Sequence, residues 1–276
     1  MHLRLGSRRY DLDHQSLVMG ILNRTPDSFY DRGEHWALDA FYRLAERLVA
    51  EGADLLDVGG VKAGPGPEVT AAEELDRVVG AIAGLAERFD VPLSVDTWRA
   101  EVAAEAYRAG AVVGNDISGF ADPGYLPAAA AAGATVVATH IRLAPRVADP
   151  DPRYDDVVAA VADFLEERGQ WARSAGLDDE QIVVDAGLDL GKTAQQSLTL
   201  LQASPRLAAL GWPLLLSASN KTFLGVLFGL EVGERREATI AAHSVGLALG
   251  CRILRAHDVR AARRVADTMA AVLASP

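Results

Sequence analysis

A single (β/α)8 barrel is the fold this sequence predicts. Three observations lead there: eight short, apolar, β-rich runs, helix-patterned segments between them, and glycines at the helix-to-strand joints. The 276 residues suit one such unit, which takes roughly 250 residues, so the whole chain (1–276) reads as one domain. No linker or low-complexity stretch divides it.

In chain order, the first strand is predicted at Leu17–Asn23. Leu38, Phe41, Leu44 and Leu48 then fall on one helical face. Gly52 ends that helix, and the second strand follows at Leu55–Gly60. The third is Pro92–Thr97, with Thr97 expected to cap the helix carrying Val102 and Ala106. Gly110 closes that helix before Val112–Ile117, and Gly133 precedes Thr135–His140. Tyr154–Ala175 is expected to be the longest helix; Gly176 follows it, before the strand Ile182–Gly187. Gly211 precedes Pro213–Ser219, and Gly250 precedes Cys251–His257. Glycine after a helix accepts the left-handed conformation that ends it. The strands are nearly continuously apolar, as parallel strands covered on both faces are. Strand and helix in alternation imply a parallel sheet, and eight units imply closure. An open doubly wound sheet is the alternative; no G-x-G-x-x-G follows the first strand to support it.

Half the residues are hydrophobic, enough for a large core, and the formal charge is −11. That balance argues against nucleic acid or an anionic membrane as partner, since both attract basic surfaces. It leaves room for a local basic pocket that binds a small anion. The lone cysteine, Cys251, is expected to be a buried core thiol, and its isolation points to a reducing, cytoplasmic setting. Met1–Asp13 is polar, carries three arginines and does not read as a signal peptide. No apolar run reaches the roughly 20 residues of a membrane span.

Barrel chemistry sits at the C-terminal ends of the strands. All three lysines (Lys62, Lys192, Lys221) and all three asparagines (Asn23, Asn115, Asn220) lie at or just past those ends. Asp96, Asn115, Asp185 and Lys221 form one set of acceptors and donors suited to a flat heterocycle with several N–H groups. Asn23, Arg255 and His257 stand on the adjoining first and last strands and suit a phosphate or pyrophosphate. His140 is expected to be structural and hydrogen-bonded. The histidines are dispersed and no H-E-x-x-H occurs, so a metalloenzyme motif is lacking.

Several motifs, in order, resemble the dihydropteroate synthase family of pterin-binding barrels. They are Met19-Gly20-Ile21-Leu22-Asn23, Thr25-Pro26-Asp27-Ser28-Phe29, Asp57-Val58-Gly59-Gly60, Ser94-Val95-Asp96-Thr97, Asn115-Asp116-Ile117-Ser118-Gly119, Gly191-Lys192-Thr193 and His257-Asp258-Val259. The resemblance implies a transferase that joins 6-hydroxymethyl-7,8-dihydropterin diphosphate to p-aminobenzoate and releases pyrophosphate, in folate biosynthesis. It implies that Asp96, Asn115, Asp185 and Lys221 hold the pterin, with Lys221, Asp96 and Asp185 in the catalytic role. It further implies that Asn23, Arg255 and His257 hold the diphosphate, that Mg²⁺ is the cofactor and lies near Asn23, and that the chain forms a homodimer. The acceptor arylamine would meet Thr25, Asp27, Ser28, Phe29, Lys62, Asn220 and Thr222.

The departures from the family pattern cluster on the acceptor side. The usual G-G-E-S-T-R-P-G is Gly59-Gly60-Val61-Lys62-Ala63-Gly64-Pro65-Gly66, and S-R-K-S is Ser219-Asn220-Lys221-Thr222. The D-P-G-x-G-F-G-K segment is Asp185-Ala186-Gly187-Leu188-Asp189-Leu190-Gly191-Lys192, which adds a charge at Asp189 and removes an aromatic at Leu190. Ser217 replaces a glycine and is expected to crowd the pterin. The pattern resembles a divergent second copy of the synthase. The alternative function is therefore an inactive or repurposed paralogue that keeps the pterin and diphosphate site but not ordinary p-aminobenzoate recognition.

Overall fold

The structure, a computed structural model, describes residues 1–24 and 34–273, with side chains of the first helix from residue 38 onward. Eight parallel strands close into a barrel: β3 (Leu17–Asn23), β4 (Leu55–Gly59), β5 (Leu93–Asp96), β6 (Val113–Asp116), β7 (Thr135–Thr139), β8 (Ile182–Asp185), β9 (Leu214–Leu216) and β10 (Cys251–Ala256). All eight predicted strands are present, most trimmed by a residue or two. Helices α1 (Glu34–Ala50), α2 (Ala71–Arg88), α3 (Ala100–Arg108), α4 (Tyr125–Ala132), α5 (Val157–Ser174), α6 (Ala194–Gln202), α7 (Ser204–Ala208), α8 (Thr222–Phe228), α9 (Arg236–Ala248) and α10 (Val259–Leu273) alternate with them. The open-sheet alternative is thereby excluded.

Alternation along each strand separates two cores. Val18, Leu22, Leu56, Val58, Val136, Val184 and Leu254 face the helices, where Phe41, Leu48, Val78 and Ile82 meet them in one buried cluster. The intervening residues Leu17, Met19, Leu55, Val113, Val137, Val183, Leu215 and Ile253 fill the barrel interior. The expected glycine joints hold: Gly52 has φ +99° and Gly133, after α4, has φ +63°.

Two local expectations need correction. Thr97 does not cap α3; the first helical amide, that of Ala100, is taken at 2.8 Å by the Asp122 carboxylate from the next loop. The long fifth helix starts at Val157 rather than Tyr154, because Asp156 accepts from the amides of Val158 and Ala159 and fixes its start. At 18 residues it equals α2 instead of exceeding it.

The polar N-terminal segment conceals a hairpin, β1 (His2–Leu5) paired with β2 (Arg8–Asp11). Leu3, Leu5 and Leu12 are nearly fully buried and join the interior cluster, closing the barrel end opposite the strand C-termini. Cys251 is a buried thiol. Among the described residues, no helix is long and apolar enough to cross a membrane.

Candidate active site

The two-residue strand period places the polar cluster. Two positions beyond the interior residues Leu55, Val113, Val183 and Ile253 come Asp57, Asn115, Asp185 and Arg255. These therefore project into the lumen above the apolar layer, at the C-terminal mouth. Cross-strand register sets Asn23, Gly59, Asp96 and Asn115 side by side across four neighbouring strands. The middle-strand acids and the closing-strand cation thus converge on one mouth.

Arg255 joins them. Its Nε donates to Asp57 Oδ2 at 2.7 Å and its Nη2 to Asp96 Oδ2 at 2.6 Å. Asp57 also accepts from Ser94 Oγ at 2.6 Å and from Asn115 Nδ2 at 3.0 Å. Asp57 is fully buried, whereas Arg255 and Asp96 keep 16% and 15% of their side-chain surface. That residual access leaves further guanidinium N–H bonds open to a ligand. Burial pushes the Asp96 carboxyl up to about 7, with the Arg255 charge opposing.

Asp185 lies across the lumen. Its Oδ1 accepts from the Gly187 amide at 2.8 Å, and burial raises its carboxyl despite Lys221 and Arg255 nearby. Lys221 follows β9, and among the described residues its ammonium has no hydrogen bond or ion pair. Desolvation lowers its pKa, opposed by Asp189 and Asp185. A donor held without a fixed partner among acids is poised for an incoming acceptor atom.

His257 hydrogen-bonds Ser219 through Nδ1 at 3.0 Å. Burial, together with Arg255 and Lys221, depresses its imidazole to about 4, so it is neutral at physiological pH. Asn23 makes no side-chain hydrogen bond among the described residues; its Oδ1 lies over Gly59, where a Cβ would stand 3.1 Å away. Ser217 is buried at the end of β9. Thr25, Asp27, Ser28 and Phe29 lie outside the described residues.

The rewritten loop is clasped from across the mouth. Arg146 donates to the Lys62 carbonyl at 3.1 Å and to the Pro67 carbonyl, and its own amide donates to Ala63 at 3.2 Å. Lys62 itself is exposed. Asn220 adopts φ +57°, with its amide donating to Thr239 Oγ1 and its carbonyl accepting from Arg235. Asp189 accepts from the amides of Thr222 and Phe223, tying the Asn220–Thr222 loop to the loop after β8. His140 is hydrogen-bonded as expected: Lys192 Nζ lies 2.8 Å from its Nδ1 and reaches the carbonyls of His140, Gly187 and Leu190.

Asp57 is the residue whose importance the sequence reading missed, although it shares the inward parity of Leu55. The contacts of Asp189, noted in sequence only as an added charge, and the role of Arg146 were not legible, because their partners are distant in sequence. No group of three or more His, Cys, Asp or Glu able to hold a metal occurs among the described residues.

With that geometry in place, comparison with known proteins is specific. The family described as pterin binding enzyme matches residues 19–257. The inactive dihydropteroate synthase 2 of Mycobacterium leprae is 43% identical, covering 99% of this chain and 95% of its own length. The dihydropteroate synthase of Synechocystis sp. is 40% identical, covering 95% and 92%. A crystal structure of the Yersinia pestis dihydropteroate synthase with a sulfonamide drug complex superposes with a TM-score of 0.92 at 36% identity, covering all of both chains. The Xanthomonas albilineans enzyme with 4-aminobenzoic acid also gives 0.92, at 40% identity over 100% of this chain and 99% of that one.

Proposed function

This chain belongs to the pterin binding enzyme family, and within it to the dihydropteroate synthases; on that footing we propose that its mouth joins 6-hydroxymethyl-7,8-dihydropterin diphosphate to an arylamine and releases pyrophosphate. One observation carries the reading: Asp96, Asn115, Asp185, Lys221 and Arg255 meet at a single lumen rim.

In this reading Asp96, Asn115, Asp185 and Lys221 hold the pterin ring. Asp185 and Asp96 accept from its N–H groups, and Lys221 donates to a ring acceptor. Arg255, Asn23 and neutral His257 hold the diphosphate. The bond from the pterin methylene to the diphosphate oxygen breaks, and the electron pair leaves with pyrophosphate. The amine nitrogen then bonds to the methylene and loses a proton. No residue has to form a covalent intermediate; the side chains orient the partners and stabilise charge on the leaving group.

Mg²⁺ fits here only as an ion shared with the diphosphate. It favours oxygen ligands and commonly combines few protein ligands with substrate phosphates. Asn23 Oδ1 offers one such oxygen, and the nearest acids are engaged by Arg255. Bound there, the ion would offset charge on the departing pyrophosphate.

A homodimer belongs to the same reading. Val226, Phe228 and Val245 are 68%, 64% and 47% exposed on α8 and α9, beside an apolar groove that a second copy would cover. The setting is read as cytoplasmic, from the lone buried thiol.

A second reading has its own support: Gly64 and Asn220 stand where the family pattern has arginines, and an inactive synthase relative is 43% identical. That reading keeps the pterin site without synthase turnover. The test is pyrophosphate release from pterin diphosphate with p-aminobenzoate or other arylamines. Turnover supports a transferase. Pterin diphosphate binding by folded protein, without release with any amine, supports the second reading.

A further inference from the structure

Asp57 holds a charge at a position where packing asks for none. Two residues before it on β4, Leu55 belongs to an apolar layer with Met19, Val113 and Ile253. The Asp57 carboxylate is nonetheless fully buried. Taking a carboxylate out of water is costly, and a buried ion pair is often no more stabilising than apolar residues of the same volume. Stability alone therefore gives little reason for this group, whereas its neighbours give another.

The strand order β10-β3-β4-β5-β6 puts Asp57 midway between Arg255 and Asn115. Ser94 Oγ donates to its Oδ1 and Asn115 Nδ2 to its Oδ2, which braces the carboxylate. The same Oδ2 takes Arg255 Nε at 2.7 Å, and Asp96, on the next strand, takes Nη2 at 2.6 Å. A planar guanidinium held at two nitrogens has its plane and direction set. Two of its five N–H groups are engaged in this way. The three that remain lie on Nη1 and Nη2, the pair suited to grip a phosphate bidentately. Arg255 keeps some exposure and can meet a ligand; Asp57 keeps none.

We infer that Asp57 is a positioning residue for this mouth: without touching substrate, it aims the Arg255 fork at the diphosphate. The inference rests on the proposed reading of Arg255 as a diphosphate ligand. It divides the two carboxylates on Arg255 by task. Asp57 points the guanidinium, and Asp96, partly exposed, stays open to the ring.

Calorimetry on the full chain compares pterin diphosphate with free pterin. The parent should bind the diphosphate form about tenfold or more tighter. Asp57→Ala should lose about fivefold or more of that advantage while weakening free pterin by less than about threefold. Asp57→Asn keeps an oxygen for Nε, with its NH2 turned to Ser94 Oγ, and should return the advantage to within about threefold of the parent. In an Arg255→Lys background, which lacks the Nε–H, Asp57→Ala should change the advantage by less than about twofold. In protein with isotope-labelled arginine, the slowly exchanging Nε–H signal that is missing from Arg255→Lys should lose its protection in Asp57→Ala. An advantage unchanged in folded Asp57→Ala, lost equally in both backgrounds, or not restored by Asp57→Asn overturns the role of Asp57 alone. So does unchanged Nε–H exchange. A folded parent that binds neither ligand, or both alike, refutes the reading of the mouth and the inference with it.

Discussion

Replacing Arg255 by alanine removes the link that holds the mouth together. The guanidinium is the shared partner of a fully buried carboxylate, Asp57, and a mostly buried one, Asp96. Breaking a buried pair by removing one partner typically costs about 3–5 kcal/mol, because the other charge is left uncompensated. Two effects moderate this. Asp57 keeps the Ser94 and Asn115 donors, and Asp96, already pushed up to about 7, can take a proton. The expected loss is therefore about 3 kcal/mol near pH 8, a large share of a usual stability of about 5–15 kcal/mol. Removing the guanidinium raises Asp96 further. An acid with a raised folded-state pKa contributes stability that is present below its unfolded pKa and is lost as pH rises through the folded value. The deficit of the variant should thus shrink near pH 5.5, where Asp96 holds its proton in both proteins. Urea unfolding followed by circular dichroism, at both pH values, reads this directly. A loss below about 1 kcal/mol near pH 8, or a deficit that does not shrink on acidification, refutes the reasoning.

Other expectations follow from the same structure. Asp185→Asn should weaken free pterin and pterin diphosphate alike, by about tenfold or more, because it removes a charged acceptor from the ring site; calorimetry measures both. Leu3→Ala should cost about 2–5 kcal/mol in urea unfolding, since the hairpin side chain is 1% exposed and plugs the barrel end. His243, buried with an Nε2 that has no hydrogen-bond partner among the described residues, is held down to about 4 by desolvation. Its folded-state pKa lies below the unfolded 6.5, so its contribution is present above 6.5 and is lost as pH falls to about 4. His243→Phe should therefore lose about 2–3 kcal/mol less stability than the parent between about pH 7.5 and 4.5, measured by urea midpoints.

The barrel was legible because its signals are local. Apolar runs such as Leu17–Asn23, and glycines such as Gly52 and Gly133, mark strands and joints without knowledge of tertiary contacts. The convergence of Asn115, Asp185 and Arg255 was legible too, because position at a strand end and the two-residue period decide where a side chain points. What escaped depends on distance along the chain. The Arg255 pair with Asp57 spans 198 residues, and the Asp189 contact with Thr222 spans 33. The start of α3 is capped by Asp122 from another loop rather than by nearby Thr97. The hairpin was hidden for a different reason: Leu3 and Leu5 alternate with His2 and Arg4, and three arginines dominate the segment's polarity.

The most direct test of the shared mouth is a calorimetric titration comparing pterin diphosphate with free pterin, on the parent and on folded Asp185→Asn and Arg255→Lys. One saturable site is expected, about tenfold or more tighter for the diphosphate form. Asp185→Asn should weaken both ligands, and Arg255→Lys should remove most of the diphosphate advantage. Folded parent protein that binds neither ligand, or variants that bind both as the parent does, would contradict the account.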